Sequence, residues 1–208
     1  MRIGIPKEKS EGETRVAIVP ISVPKLLKLG FEVVIEKGAG ENSGYTDTEY
    51  EEKGAKTKTL DEVMKCELIA SIDVPDFKNM KKGQMLACVA DPFRNLQQTK
   101  KIIEAGITLL SLEVIPRRLS KGQSMDVNSS QDNLSGYKAA LMGSQHIAKM
   151  VPMMMTSAGT VRPAKFVIQG AAVAGLQAIA TAKRLGGAIQ AIDVRLAAKQ
   201  DTESLGAK

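Results

Sequence analysis

Short apolar runs rich in Val and Ile alternate along the chain with stretches whose apolar residues recur at helical spacing. Residues 2–5 read as a strand. Residues 25–29 read as a helix, with Pro24 suited to its first turn and Gly30 to its end. Residues 31–36 form the next strand, 46–53 and 60–65 two short polar-faced helices, 68–74 a strand stopped by Pro75, and 85–90 another strand. A helix over 96–105 ends at Gly106, and a strand over 107–114 follows. This strand–helix–strand rhythm predicts a parallel sheet with helices on both faces.

The rhythm breaks at Pro116. Residues 116–128 are polar and lack a period, which predicts a long loop, a frequent place for function. A long helix is expected over 131–149. The next stretch, PMMMTSAGTVRPA, predicts a second loop and a boundary between domains; its run of three Met suits core packing more commonly than a flexible binding surface. Beyond it lie a buried strand over 164–169, a turn over 170–175, a helix over 173–185 ended by Gly186 and Gly187, a strand over 188–194 and a helix starting near Leu196. The expected fold class is α/β, with two Rossmann-like parallel-sheet domains, the second of them incomplete. The expected division is an N-terminal α/β domain over 1–128, a linking long helix and loop over 129–162, and the first βαβ part of the second domain over 163–208. No internal repeat or low-complexity tract stands out.

Composition narrows the class. With 208 residues, 43% hydrophobic and 25% charged, the chain reads as a globular protein rather than a disordered or collagen-like one. A chain of this length buries roughly 70% of its unfolded surface. It holds no run of about 18 apolar residues, so no membrane insertion is expected. Cys66 and Cys88 are too few for a disulfide scaffold and fit a reducing compartment. Glu8, Glu11 and Glu13 near the N-terminus argue against a signal or transit peptide. The net charge of +6 is spread among interleaved acids, and aromatic residues make up 3%, so nucleic acid is not expected as a partner, whereas a small anionic ligand is.

The strongest chemical signal is KFVIQGAAVAGLQAIATAKRLGGAIQAIDVR, which has the shape of a dinucleotide-binding βαβ unit. A tight turn after the strand places helix-terminal N–H groups against a pyrophosphate. Gly170 makes the turn and Gly175 allows helix and strand to pack closely. Asp193 stands at the tip of the second strand, about 20 residues on, where a carboxylate accepts from a ribose diol and repels a 2′-phosphate, favouring NAD over NADP. Ala172 replaces the middle glycine of G-x-G-x-x-G, and its methyl group faces the approach of the pyrophosphate. The expected cofactor site is therefore Gly170, Ala172, Val173, Gly175, Asp193, Val194 and Arg195. The alternative is a purely structural βαβ turn.

Several long blocks carry a family resemblance. IGIPKE with GETRVAIVP and LGFEVVIEKGAG is similar to two related groups, the proton-translocating nicotinamide nucleotide transhydrogenases and alanine dehydrogenase. QSMDVNSSQDNLSGYKA and PMMMTSAGTVRPAKFVIQGAAVAGLQAIATAKRLG resemble the transhydrogenases only, in the N-terminal NAD(H)-binding domain of the alpha subunit. The chain reads as little more than half of that region, truncated at its C-terminus. Alanine dehydrogenases carry a lysine and a histidine that handle pyruvate after the strands at 68–74 and 85–90. This chain has SIDVPDF and ACVADPF there, and its one histidine, His146, lies in the long helix. Arg15 is shared by both groups.

The resemblance implies hydride transfer from NADH to NADP⁺, with NADP on a partner domain and the proton path in a membrane domain or subunit, neither of them in this chain. It implies a homodimer, a cytoplasmic place peripheral to the inner membrane through partner subunits, and inactivity of the chain alone. It gives the 116–130 segment an Arg, a Gln, an Asp and a Ser near the nicotinamide, which match Arg117, Gln123, Asp126 and Ser129. Arg118 is the other candidate for the arginine; Arg117 is preferred because it keeps Pro116 beside it. Read from the residues alone, Asp126 and Ser129 are equally suited to capping a helix. With no Cys/His cluster, no metal is expected. Two other readings stay open: a truncated, non-catalytic remnant with little cofactor affinity, and an alanine dehydrogenase-like oxidoreductase.

Overall fold

The computed structural model describes residues 1–116 and 120–208. The chain divides into two compact units, Met1–Met125 and Asp126–Lys208.

The first unit runs β1 (Arg2–Ile5), α1 (Val23–Lys28), β2 (Glu32–Glu36), α2 (Asp47–Glu52), β3 (Lys56–Lys58), α3 (Leu60–Val63), β4 (Leu68–Ala70), β5 (Met85–Cys88), α4 (Leu96–Glu104), β6 (Thr108–Ser111) and α5 (Ser120–Gln123). The six strands form one sheet in the order β3-β2-β1-β4-β5-β6, and every neighbouring pair is parallel. Parallel neighbours need crossovers, and the short helices supply most of them. Local chemistry fixes where two of these helices begin. Thr46 and Glu49 form a reciprocal capping box on α2, with the Thr46 N–H donating to Glu49 at 2.7 Å, and Thr59 and Glu62 do the same for α3.

Burial follows from the pleat. Central β2 sends Val33 and Ile35 into one apolar cluster with Ile3, Ile5, Val23 and Tyr50, and Val34 into a second with Val63, Ile69, Leu86 and Ile102 on the opposite face. A side chain at Gly4 would strike the Val63 carbonyl, so this glycine lets α3 lie directly on β1. Tyr50 is fully buried, and its hydroxyl donates to the Ile18 carbonyl at 2.8 Å.

The second unit comprises α6 (Val127–His146), β7 (Met154–Thr156), β8 (Gly159–Val161), β9 (Lys165–Gln169), α7 (Val173–Arg184), β10 (Ala188–Ile192) and α8 (Ala198–Ser204). β9 and β10 pair in parallel, while β7 and β8 make an antiparallel hairpin. Its core gathers Ala140 of α6, Ala178, Ile179 and Ala182 of α7, and Ile189 of β10.

The structure bears out the α/β class and most elements, and it departs from the sequence reading in places. The expected loop over 116–128 holds α5 and the start of α6, because Asp126 caps a helix that begins at Val127, before the apolar spacing becomes visible. The loop expected around Met153–Met155 contains the β7–β8 hairpin, and its Met side chains are exposed rather than packed in the core. β3 is absent from the sequence reading because its three residues, Lys-Thr-Lys, have no apolar run. The strand at 68–74 stops at Ala70. Among the described residues no helix is long and apolar enough to cross a membrane.

Candidate functional site

The second unit builds its site from β9, the turn after it, and α7. Gly170 adopts φ +91°, a left-handed conformation, and a side chain there would meet open space, so backbone conformation selects the glycine. Gly175 is selected by contact: a Cβ would collide with the Gly170 carbonyl, so α7 starts tight against the turn. Ala172 is the N-cap of α7 and offers no side-chain acceptor, which leaves the N–H groups of the first turn to solvent or a ligand. A cavity of about 480 Å³ opens beside this turn, lined by Gln169, Gly170, Ala172, Ala174 and Gly175 and, from α6, by Ser135 and Gly136. An uncapped helix start behind a glycine turn is a fit for a diphosphate, whose charge the helix dipole and the N–H groups would both favour.

Gly136 is a site residue that the sequence reading misses. A Cβ on it would overlap the Ala174 carbonyl, so α6 backs directly onto the first turn of α7. The signal is present as small residues at 136, 140 and 143, spaced along one stripe of the helix.

Asp193 follows the last residue of β10 and is already engaged. Its carboxylate accepts from the Ala171 N–H at 2.6 Å, from the Arg195 N–H at 2.8 Å, and from the Arg195 guanidinium through Nε and Nη2, both at 3.0 Å. The Arg195 side chain, first, and the Ala171 N–H, next, hold the Asp193 carboxyl far below the usual carboxylate range. The group is therefore ionised at neutral pH, and its favourable pairing is lost only as the pH falls well below that range. Val194 is fully exposed. Thus the structure gathers Gly170, Ala172, Val173, Gly175, Asp193 and Arg195 around one turn and one strand tip.

The polar residues expected near a nicotinamide fall in two places. Gln123 ends α5 in the first unit and is exposed. Asp126 and Ser129 meet at the start of α6: the Asp126 carboxylate accepts from the Ser129 N–H at 2.9 Å and from its hydroxyl at 2.6 Å. They make a helix cap, as the residues alone allow. Arg117 and Arg118 lie outside the described residues.

The first unit has its own crevice, about 270 Å³, where the strand order reverses beside β1. It is lined by Glu8, Asp61, Asp73 and Asp76 together with Lys7 and Lys9. The Glu8 carboxylate accepts from the N–H groups of Ile72 at 2.6 Å and Asp73 at 3.3 Å, and burial pushes its pKa up despite these bonds. Arg15 forms an ion pair with Glu13 at 2.6 Å. So many carboxylates suit an anionic keto acid poorly. Among the described residues no three His, Cys, Asp or Glu side chains come together to hold a metal ion.

Comparison with known proteins places these features in a family. Residues 4–135 match the family model described as alanine dehydrogenase/PNT, N-terminal domain, and residues 139–208 match the corresponding C-terminal domain. An NAD(P) transhydrogenase alpha subunit of Rhodospirillum rubrum is 44% identical over 218 aligned residues, covering 100% of this chain and 56% of that protein. The crystal structure of transhydrogenase from Sinorhizobium meliloti superposes with a TM-score of 0.96 at 43% identity, over 100% of this chain and 63% of that one. An alanine dehydrogenase of Mycobacterium tuberculosis is 28% identical over 204 residues, covering 94% of this chain and 54% of that protein. The chain thus spans about half the length of the curated relatives it matches. With both family models matched and the parallel sheet and glycine turn in place, the chain belongs to the alanine dehydrogenase/PNT family.

Proposed function

We propose that this chain is the NAD(H)-binding component of a proton-translocating NAD(P) transhydrogenase, holding NADH for hydride transfer to NADP⁺ carried on a partner domain. The observation that carries the reading is the uncapped start of α7 behind the Gly170 turn, opening on a cavity of about 480 Å³. The 44% identity to a transhydrogenase alpha subunit supports the choice within the family. The acidic crevice of the first unit speaks against a keto-acid oxidoreductase.

In this reading the first-turn N–H groups of α7, from Val173 to Gly175, hold the diphosphate, and Asp193 accepts from the adenosine ribose. Arg117, Gln123, Asp126 and Ser129 orient the nicotinamide carboxamide. The dinucleotide, when bound, supplies the hydride. The residues contribute proximity and orientation and need no nucleophile or general base. NADP and the proton path belong to partner domains or subunits, through which the chain is peripheral to the inner membrane, and the working unit is a homodimer. The chain alone neither transhydrogenates nor moves protons.

A second reading, a remnant with weak cofactor affinity, draws on the prior engagement of Asp193 by Arg195. A titration of NADH fluorescence separates the two. Saturable binding in the micromolar range supports the component; no binding up to millimolar NADH supports the remnant.

A further inference from the structure

The pairing of Asp193 with Arg195 has a consequence for which dinucleotide this site accepts. We infer that Arg195 is a phosphate ligand held in reserve, kept from a 2′-phosphate by its ion pair with Asp193, so that selectivity for NAD over NADP resides in the pair rather than in the carboxylate alone. The inference rests on the proposed dinucleotide reading of the Gly170 turn and deepens it.

Three observations carry it. First, the pair is bidentate, with Nε and Nη2 each 3.0 Å from a different carboxylate oxygen, so the same planar fork that would grip a phosphate is filled by Asp193. Second, the two partners differ in freedom. The Asp193 side chain is 9% exposed and tied to the Ala171 N–H, whereas that of Arg195 is 58% exposed. When the pair opens, the arginine moves and the aspartate stays. Third, the Arg195 N–H donates to Asp193 Oδ1 at 2.8 Å, which fixes the backbone of residue 195 beside the strand tip whatever the guanidinium does. Arg195 also shares a cavity of about 390 Å³ with Asp193 and Lys199, so a second cation lies on the same side.

A carboxylate at this strand tip accepts from a ribose 2′-hydroxyl, and an arginine near it accommodates a 2′-phosphate. Here both groups stand two residues apart and neutralise each other. In the native chain Asp193 repels the phosphate and also removes the arginine that would receive it. Replacing Asp193 by a neutral group therefore does two things at once, and the second depends on Arg195.

The test is a four-corner comparison of the full chain: native, Asp193→Asn, Arg195→Met and the double variant, each titrated with NADH and with NADPH by fluorescence. Asparagine keeps an acceptor for the Ala171 and Arg195 N–H groups, so the turn is preserved; circular dichroism and thermal melting check this for each variant. The expected result is that Asp193→Asn gains NADPH affinity by about tenfold or more, the scale of a charge-assisted phosphate contact. The gain disappears in the double variant, while Arg195→Met alone leaves NADPH binding as weak as in the native chain. Equal NADPH affinity in Asp193→Asn and the double variant, or no gain in Asp193→Asn while native NADH binding is intact, overturns the role of Arg195 and leaves the dinucleotide site standing. Failure of the folded native chain to bind either nucleotide overturns both.

Discussion

At the residue scale the site is defined by what individual backbone positions tolerate. Gly170 and Gly175 sit five residues apart and are glycine for different reasons, one for its positive φ and one for its contact with the Gly170 carbonyl. Ala172 lies between them with a methyl group on the wall of the cavity where the diphosphate is proposed to approach. Its own backbone is extended, so it imposes no strain, and its effect falls on the ligand. Ala172→Gly should therefore tighten NADH binding, by a few-fold up to the tenfold that about 1.4 kcal/mol represents. Fluorescence titration measures this, and an unchanged or weaker affinity contradicts the account of this position. Both the glycine spacing and the acid at the strand tip are legible in the sequence. The occupation of Asp193 by Arg195 is not, because the rotamer of a two-residue neighbour leaves no trace in a pattern.

At the element scale the start of α6 decides between two roles for the same side chains. Asp126 accepts from the N–H and the hydroxyl of Ser129, so it satisfies the first turn of a helix of 20 residues. Asp126→Ala should cost about 1 kcal/mol of stability, the usual loss for an N-cap, and Asp126→Asn should restore most of it. Urea denaturation checks both. A loss of NADH affinity in the Asn variant at undiminished stability would assign Asp126 to the nicotinamide as well as to the cap. The same element shows where periodicity runs short. Apolar spacing starts the helix at residue 131, whereas it begins at Val127, since its first turn is polar and its signal is the cap. Conversely, β3 and the β7–β8 hairpin carry too little apolar pattern to stand out from loop.

At the scale of the whole molecule, the two units cover their sheets differently. The sheet of the first unit has apolar clusters on both faces. In the second unit Phe166, Ile168 and Ile189 face the core with α7, while Lys165, Val167, Gln169, Ala188, Gln190 and Ile192 are exposed on the other face. Val167 and Ile192 are both 57% exposed, and Leu196 beyond the strand is 85% exposed. Apolar surface of this kind binds hydrophobic dyes. The native protein should enhance the fluorescence of anilinonaphthalene sulfonate at neutral pH without denaturant. Val167→Thr with Ile192→Thr, which keeps β-branched residues in both strands, should lower that enhancement. Native protein that leaves the dye dark would show this face covered in solution.

What the sequence determined by itself is the class of fold and the place of the turn. Alternating apolar runs and helical stretches dictate a parallel sheet, and a strand, a glycine turn, a helix and an acid in that order dictate where a dinucleotide would lie, because backbone sterics and burial act on neighbours in the chain. Only the tertiary structure decided which groups are free to act. It put Gly136 of α6 against Ala174, tied Asp193 to Ala171 and Arg195, and lined the first unit's crevice with Glu8, Asp61 and Asp73 from three separate segments. The Asp193–Arg195 pair aside, these contacts bridge long stretches of chain, 22 positions from Asp193 to Ala171 and 65 from Glu8 to Asp73. Their geometry is set by how helices pack on strands, which no local pattern encodes.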